Sequence, residues 1–487
     1  MSQPHNILWI CSDSQRWDTL GCYGNSLVRT PNLDRLASQG VRFEQAFAQN
    51  PLCMPSRGSF LTGRYPVTNR LRQNGQTVPP DLLPVTKLLA DAGYVCGLIG
   101  KLHLNACDYR LTLGPNWFQQ DRRLWFHGGE KRLADDGYSV FHWDHAPTGE
   151  YPASDYTRWL LEHGYSREPR TTREDTNFIQ NGRPTEQHQS FWCAEKAIGF
   201  IRAFADDPHP WLLSVNLFDP HYAFDPPAEW LEPYLDRLGE IPLPNFVPGE
   251  LENKPSVQTE KHTAGKYVWS GMSEKDHRLI RAAYWAMCDL LDAQIGRILQ
   301  AVDESGQREN TVIVFMSDHG EMLGDHGLYL KGPFLYEGAL RVPLIIAGPQ
   351  VASGVTVNGL VELADLAPTV LEMAGLPRHP GMQTRSLVPL LTGKSEETRR
   401  DVYSEYYNSN PDKPGQFLTM VRTETHKLIR HHRTQTGELY DLTNDPTENI
   451  NRWNDPAYAT VKSELLLALS DRMAETCDPL PERVGVF

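Results

Sequence analysis

Four short apolar runs mark the chain, at residues 7–10, 94–99, 211–217 and 311–316. Each is too short for a helix and is bounded by turn formers, the pattern of a strand buried on both faces. Between them, residues 84–92 and 274–302 place apolar side chains at helical spacing, the second running out near Gly306;. Strands alternating with helices predict an α/β fold with a mostly parallel central sheet flanked by helices. Two stretches lack this rhythm: 106–189, rich in Trp, His, Arg and Gly, and 229–270, rich in proline and charge. Both predict long excursions near a functional site, because long loops in compact domains are often functional. After Leu391-Thr392-Gly393, residues 417–421, 427–431 and 438–442 read as short antiparallel strands and 458–473 as a helix. The pattern predicts a domain of residues 1–395 followed by a small α+β subdomain of residues 396–487.

Composition narrows the partners. Of 487 residues, 40% are hydrophobic and 22% charged, enough for a full-sized core;. A formal net charge of -14 opposes non-specific attraction to nucleic acid or to an anionic membrane surface;. An anionic small substrate would therefore need a local positive site. Residues Met1 to His5 lead straight into the first apolar run without a signal-peptide pattern, which predicts a cytoplasmic protein;. No apolar run approaches the ~20 residues that span a bilayer. The eight cysteines are scattered without CxxC pairs, as expected of reduced thiols rather than a disulfide framework;.

The residues just after each predicted strand carry the chemistry. The first strand leads into Asp13, the second into Lys101 and His103, the third into Asp219 and His221, and the fourth into Asp318 and His319. Ligand crevices in open α/β sheets lie outside the carboxyl ends of the strands, so all four would deliver ionisable groups to one rim. A single Asp or His after a strand is usually a turn or cap residue. Four together point to a site. Asp13, Asp318 and His319 form an oxygen-rich set with one imidazole, suited to Ca²⁺ first, with Mn²⁺ or Mg²⁺ as alternatives;. Lys101, His103 and His221 remain for anion binding and proton transfer.

Residues 50–64, NPLCMPSRGSFLTGR, read as a loop entering a helix, with Pro55 in its first turn and Cys53 or Ser56 placed to cap it;. A helix start attracts anions, and Arg57 adds a planar donor fork for sulfate or phosphate oxygens. Cys53, Pro55, Ser56, Arg57, Leu61, Thr62 and Gly63 match Cys-x-Pro-Ser-Arg-x-x-x-Leu-Thr-Gly, so the chain resembles the type I, formylglycine-dependent sulfatases of the alkaline phosphatase superfamily. The likeness continues in Gly100-Lys101-Leu102-His103, Pro220-His221, Ser317-Asp318-His319-Gly320-Glu321, Gly324-Asp325-His326-Gly327, and the stretch from Lys331 to Pro343. It reaches Leu439-Tyr440-Asp441-Leu442 in the C-terminal subdomain.

The resemblance implies that a formylglycine-generating enzyme oxidises Cys53 to formylglycine, whose hydrate attacks a sulfate ester. It also implies a divalent metal on Asp13, Asp318, His319 and the group at position 53. Arg57, Lys101 and Lys331 would then stabilise charge on the ester oxygens, His221 would protonate the leaving oxygen and His103 would assist release. Where many relatives carry two adjacent aspartates, this chain has Asp13-Ser14, so its metal site has one negative charge fewer. Phosphonate monoester and phosphodiester hydrolases are similar too, which makes their chemistry the alternative to an arylsulfatase-like activity. A thiol nucleophile would favour carbonyl substrates, and a silent module that binds sulfated ligands would require Cys53 to stay a thiol. Asp325 and His326 are expected to shape a loop. The aromatics of residues 117–143 and the basic segment 426–433 could touch a leaving group or pack an interface;. A C-terminal tail at residues 478–481 could reach a second copy in a homo-oligomer.

Overall fold

The computed structural model describes residues 4–105, 135–145, 154–166, 171–264, 267–409 and 415–481. Eight strands form the central sheet: β1 (Asn6–Ser12), β2 (Gly40–Phe47), β3 (Val95–Gly100), β4 (Tyr138–Trp143), β5 (Trp211–Asn216), β6 (Thr311–Ser317), β7 (Arg341–Ala347) and β8 (Val355–Glu362). Their order is β4-β3-β5-β1-β6-β7-β2-β8, and β7 alone runs against its neighbours. The four predicted strands lie side by side as β3-β5-β1-β6, all mutually parallel.

Every residue of β1 is buried, and alternate side chains enter opposite layers. Ile7, Trp9 and Cys11 join one apolar cluster with Phe60 and Leu61, whereas Leu8 and Ile10 join a second with Trp192, Phe200, Leu291 and Ile295. Period two in the strand thus builds a three-layer body, with the Cys53–Thr62 helix on one face and the Gln189–Ala203 and Glu274–Glu304 helices on the other;. Each fully buried aliphatic chain contributes about 1.5–3 kcal/mol. The long helix opens on a capping box, in which Ser273 and Asp276 satisfy each other's backbone amides and fix its start at Glu274;.

Several elements escaped the pattern. Strand β8 lies at an edge and is half exposed, and β4, at the opposite edge, falls inside the stretch that reads as an excursion. Strand β7 carries Pro343 in its interior. The 229–270 stretch is likewise not featureless: the Ala228–Leu235 and Ser256–Thr263 helices occupy much of it. Residues 117–134, with most of the predicted aromatics, lie outside the described residues.

The C-terminal sheet has four antiparallel strands, β9 (Asp401–Tyr407), β10 (Phe417–Thr423), β11 (His426–His431) and β12 (Gly437–Asp441), covered by the Ala459–Glu475 helix. Three of them were expected. Strand β9 was not, because Ser404 and Glu405 interrupt its apolar run although both are buried. The basic segment turns inward: Lys427 is buried between Glu337 at 2.8 Å and Glu448 at 2.6 Å. Asp478, in the tail, pairs with Arg64 of its own chain.

A buried ionic knot joins the two sheets. Glu362, at the end of β8, accepts hydrogen bonds from Tyr65 (2.7 Å), the Tyr403 amide (2.9 Å) and Arg472 (2.6 Å) of the C-terminal helix. Replacing Arg472 by Met should destabilise the chain by about 3 kcal/mol, because Glu362 stays buried with fewer partners; denaturant unfolding measures this. Asp144 supplies a pH signature. Its carboxyl follows β4, only 1% exposed, and burial pushes it up to about 7. The folded chain therefore holds a proton that the unfolded chain releases near its ordinary value, so this group's contribution falls as pH rises from about 4 to about 7. Asp144→Asn should flatten that slope and raise the unfolding midpoint at pH 8 relative to wild type.

Candidate active site

Because β3, β5, β1 and β6 are adjacent and parallel, their carboxyl ends open onto a single rim;. Asp13 follows β1, Lys101 and His103 follow β3, His221 follows β5, and Asp318 and His319 follow β6. Gly100 makes the approach of Lys101 possible. It sits at φ 95°, and a Cβ there would lie 2.0 Å from the Asn216 carbonyl oxygen;. The Asn216 side chain in turn donates to the Lys101 carbonyl at 2.8 Å.

Cys53 arrives from outside the sheet, as the first residue of a ten-residue helix, Cys53–Thr62, that is buried throughout. Leu52 is the cap residue and offers no side-chain acceptor; Asn74 accepts the Met54 N–H at 3.1 Å. Neither Cys53 nor Ser56 caps the helix. Ser56 donates instead to the Asp318 carbonyl. Arg57 also departs from expectation. Its guanidinium is fully buried and binds the Asp318 carboxylate through Nε (3.0 Å) and Nη2 (2.9 Å), the Lys101 carbonyl through Nη1 (2.8 Å) and Asp13 at 3.5 Å. The planar fork is thus spent on protein acceptors rather than aimed at a ligand.

Asp13, Cys53, Asp318 and His319 converge, with one ligand-type atom from each lying within 4.8 Å of the others. His319 Nδ1 lies 2.8 Å from the Gly320 carbonyl and donates to it, which leaves the Nε2 lone pair facing Cys53 Sγ at 3.3 Å;. Two carboxylates and one oriented imidazole around a common point fit a divalent cation. The Sγ atom marks where an oxygen of the modified residue would stand. Two ammonium groups reach the same atom, Lys331 at 3.2 Å and Lys101 at 3.4 Å. Burial opposes ionisation of Cys53, yet Lys101, Lys331 and His319 together hold its thiol well below the ordinary value. Burial and the adjoining sulfur likewise push Asp13 up, but Lys101, at 2.5 Å, and Lys331 outweigh them and hold its carboxyl well below the usual range.

Ser14 adopts φ 64° and bridges Asp13 Oδ1 (2.9 Å) to Lys331 Nζ (3.1 Å). Its hydroxyl therefore orients a carboxylate and an ammonium group. Both histidines border Cys53. Burial lowers the His103 imidazole to about 4 and also lowers His221, aided by Lys331, so both are neutral at neutral pH. Arg16 turns away and pairs with Asp18 (2.7 Å) and Asp325 (2.8 Å), so Asp325 belongs to the loop framework.

Two further residues support the site. Tyr284 Oη donates to the Ser14 carbonyl at 2.6 Å and accepts the Arg16 N–H at 2.9 Å. Asp219 supports the site from behind: its carbonyl accepts the Asp13 N–H at 3.2 Å, and its carboxylate is held by Ser190 at the start of a helix. These residues act through backbone groups that only the fold brings together. Of these, Asp219 was visible in sequence as a strand-end acid and Tyr284 was not.

Comparison with known proteins agrees with this arrangement. Residues 5–376 match the sulfatase family model, and residues 324–475 match that of the N-sulphoglucosamine sulphohydrolase C-terminal region. The chain is 30% identical to the uncharacterized sulfatase YidJ of Escherichia coli, over 98% of this chain and 89% of that protein. The phosphonate monoester hydrolase of Agrobacterium radiobacter superposes with a TM-score of 0.81 at 26% identity, covering 98% of this chain and 96% of that one. BT4656, solved in complex with its substrate D-glucosamine-2-N,6-O-disulfate, gives 0.76 at 25% identity, covering 99% and 100%. With the motif, the converging quartet and the matched length in agreement, this chain belongs to the sulfatase family of sulfuric ester hydrolases.

Proposed function

We propose that the chain hydrolyses sulfate monoesters of the arylsulfatase type, with a formylglycine hydrate at position 53 as nucleophile. The observation that carries this reading is the position of Cys53 Sγ, held at the start of a buried helix with Lys331, His319 and Lys101 within 3.2–3.4 Å. A formylglycine-generating enzyme is the implied maturation partner.

Asp13, Asp318 and His319 would hold the cation, calcium by preference because two of the three donors are carboxylates. When bound, it supplies Lewis-acid polarisation to the group at position 53 and to the ester. Arg57 holds Asp318 and Asp13 in place by occupying their outer lone pairs;. Lys101 and Lys331 flank the reacting position and stabilise negative charge gathering on the non-bridging oxygens. His221, neutral in the resting site, takes up a proton when the anionic ester binds and gives it to the departing alcohol oxygen as the sulfur–oxygen bond breaks;. His103, neutral through burial, takes a proton from the second hydroxyl at position 53.

The charge of the site favours a singly charged ester over a phosphomonoester dianion. Asp13 and Asp318 are offset by Arg57, Lys101 and Lys331, leaving one net positive charge from the protein before any metal binds. A singly charged tetrahedral ester suits that balance. Phosphonate monoesters and phosphodiesters also carry one charge, and the superposition on a phosphonate monoester hydrolase favours them as a second activity of the same site.

Three measurements test these assignments. Intact-mass analysis of active enzyme should show loss of H₂S and gain of one oxygen at Cys53, and Cys53→Ala should lower kcat by roughly 10⁴-fold or more. An unmodified thiol in fully active enzyme defeats the nucleophile assignment. His221→Ala should cost about 10²–10⁴-fold, with the larger loss on alkyl sulfates, whose leaving oxygen needs the proton more than that of a nitrophenyl sulfate. Comparing kcat/KM on aryl sulfate, phenyl phosphonate and a phosphodiester decides the substrate class; a preference for the phosphorus esters by orders of magnitude overturns the sulfatase reading.

A further inference from the structure

The quartet is built around a cysteine in the encoded chain, and that thiol changes which metal it should hold. Cys53 Sγ lies 3.3 Å from His319 Nε2 and 3.8 Å from Asp13 Oδ1, and His319 Nε2 lies 3.6 Å from Asp318 Oδ1 and 3.9 Å from Asp13 Oδ1. Zinc bonds of ~2.0–2.3 Å set at tetrahedral angles give edges of about 3.4–3.6 Å for N, O and S donors. The four separations run from 3.3 to 3.9 Å and no edge of the quartet exceeds 4.8 Å, so a modest contraction would close it on zinc. All four donors are buried, the imidazole already presents Nε2, and a Cys-His-carboxylate set is one that zinc accepts;.

Calcium wants a different shell. It takes ~6–8 oxygen donors, and sulfur is a poor substitute for any of them. With a thiol at position 53 the quartet offers one soft donor, one borderline donor and two hard ones. With an aldehyde hydrate it offers oxygen in place of sulfur. Lys101 and Lys331 donate to the same sulfur at 3.4 and 3.2 Å, contacts that a metal-bound thiolate also accepts;.

We propose that the unconverted, Cys53-thiol form of this protein is a zinc-binding protein, and that oxidation of Cys53 switches the same quartet from zinc to a hard, oxygen-seeking cation. Chain that escapes maturation is then held folded but inactive by zinc. The inference rests on the reading of Asp13, Cys53, Asp318 and His319 as the metal site, and concerns the form that the catalytic proposal does not use.

The test uses full-length protein made without a converting enzyme, its Cys53 confirmed as a thiol by intact mass, beside converted protein. Dialysis against a mixture of zinc and excess calcium, followed by elemental analysis, should leave one zinc per chain on the thiol form and calcium on the converted form. Replacing zinc by Co²⁺ should give a sulfur-to-cobalt charge-transfer absorption. Cys53→Ser should lose that absorption and bind zinc on the order of 100-fold more weakly, the share of one donor among four. Zinc bound equally by the thiol form and Cys53→Ser, or cobalt without sulfur absorption, overturns the proposal, as does a converted protein that prefers zinc. Should the serine variant not fold, thiol labelling of the wild-type chain decides: zinc should block it, and unchanged labelling overturns the proposal. The mass and kinetic tests of the converted enzyme stand apart from these outcomes, so either reading can fail alone.

Discussion

The site depends on a charge balance assembled out of water. Asp13 and Asp318 are fully buried at the ends of adjacent strands, and two such carboxylates would repel each other and be protonated without compensation;. Arg57 binds both, Lys101 lies 2.5 Å from Asp13, and Lys331 closes the ring at 3.7 Å. Each cation comes from a different part of the chain: a helix, a strand end and a long connection. The charges can be buried only because all three arrive together, so the local fold and the site stand or fall together.

That balance explains the architecture around it. The Cys53–Thr62 helix is buried throughout because Arg57, in its second turn, has to reach the Asp318 carboxylate, and its apolar residues then pack as core on one face of the sheet. Gly100 and Ser14 take left-handed backbone conformations where the chain turns off β3 and β1, which directs Lys101 and Asp13 to the same point. Support then comes from residues that touch nothing reactive. Tyr284 from the long helix holds Ser14, and Asp219 holds Asp13 by its backbone. The C-terminal sheet reaches the same region through Asn50, whose side chain donates to the Glu405 carbonyl at 2.7 Å, three residues before Cys53.

A thiol and an aldehyde hydrate at position 53 differ in hardness, so the proposed conversion would alter both reactivity and metal preference. The serine at position 14 adds no charge to this site; its hydroxyl donates to Asp13.

The sequence by itself determined the parallel centre of the fold. Strands β1, β3, β5 and β6 are buried on both faces, so their apolar runs are nearly unbroken and legible, and the charged residues at their ends fall on one rim by topology alone. The motif at Cys53 to Gly63 identified the family. The edge strands β4 and β8 and the polar-interrupted β9 were not legible, because half-exposed or polar-bearing strands carry no continuous apolar signal. What only the tertiary structure decided is the division of labour among the charges. Arg57 reads in sequence as an anion-binding fork. In the folded chain Arg57 is consumed by two carboxylates and Arg16 by its own loop, whereas Lys101 and Lys331 point at the sulfur. Spacing along a chain gives a donor's type and approximate place, but the acceptor it satisfies is set by burial and by which elements pack against it.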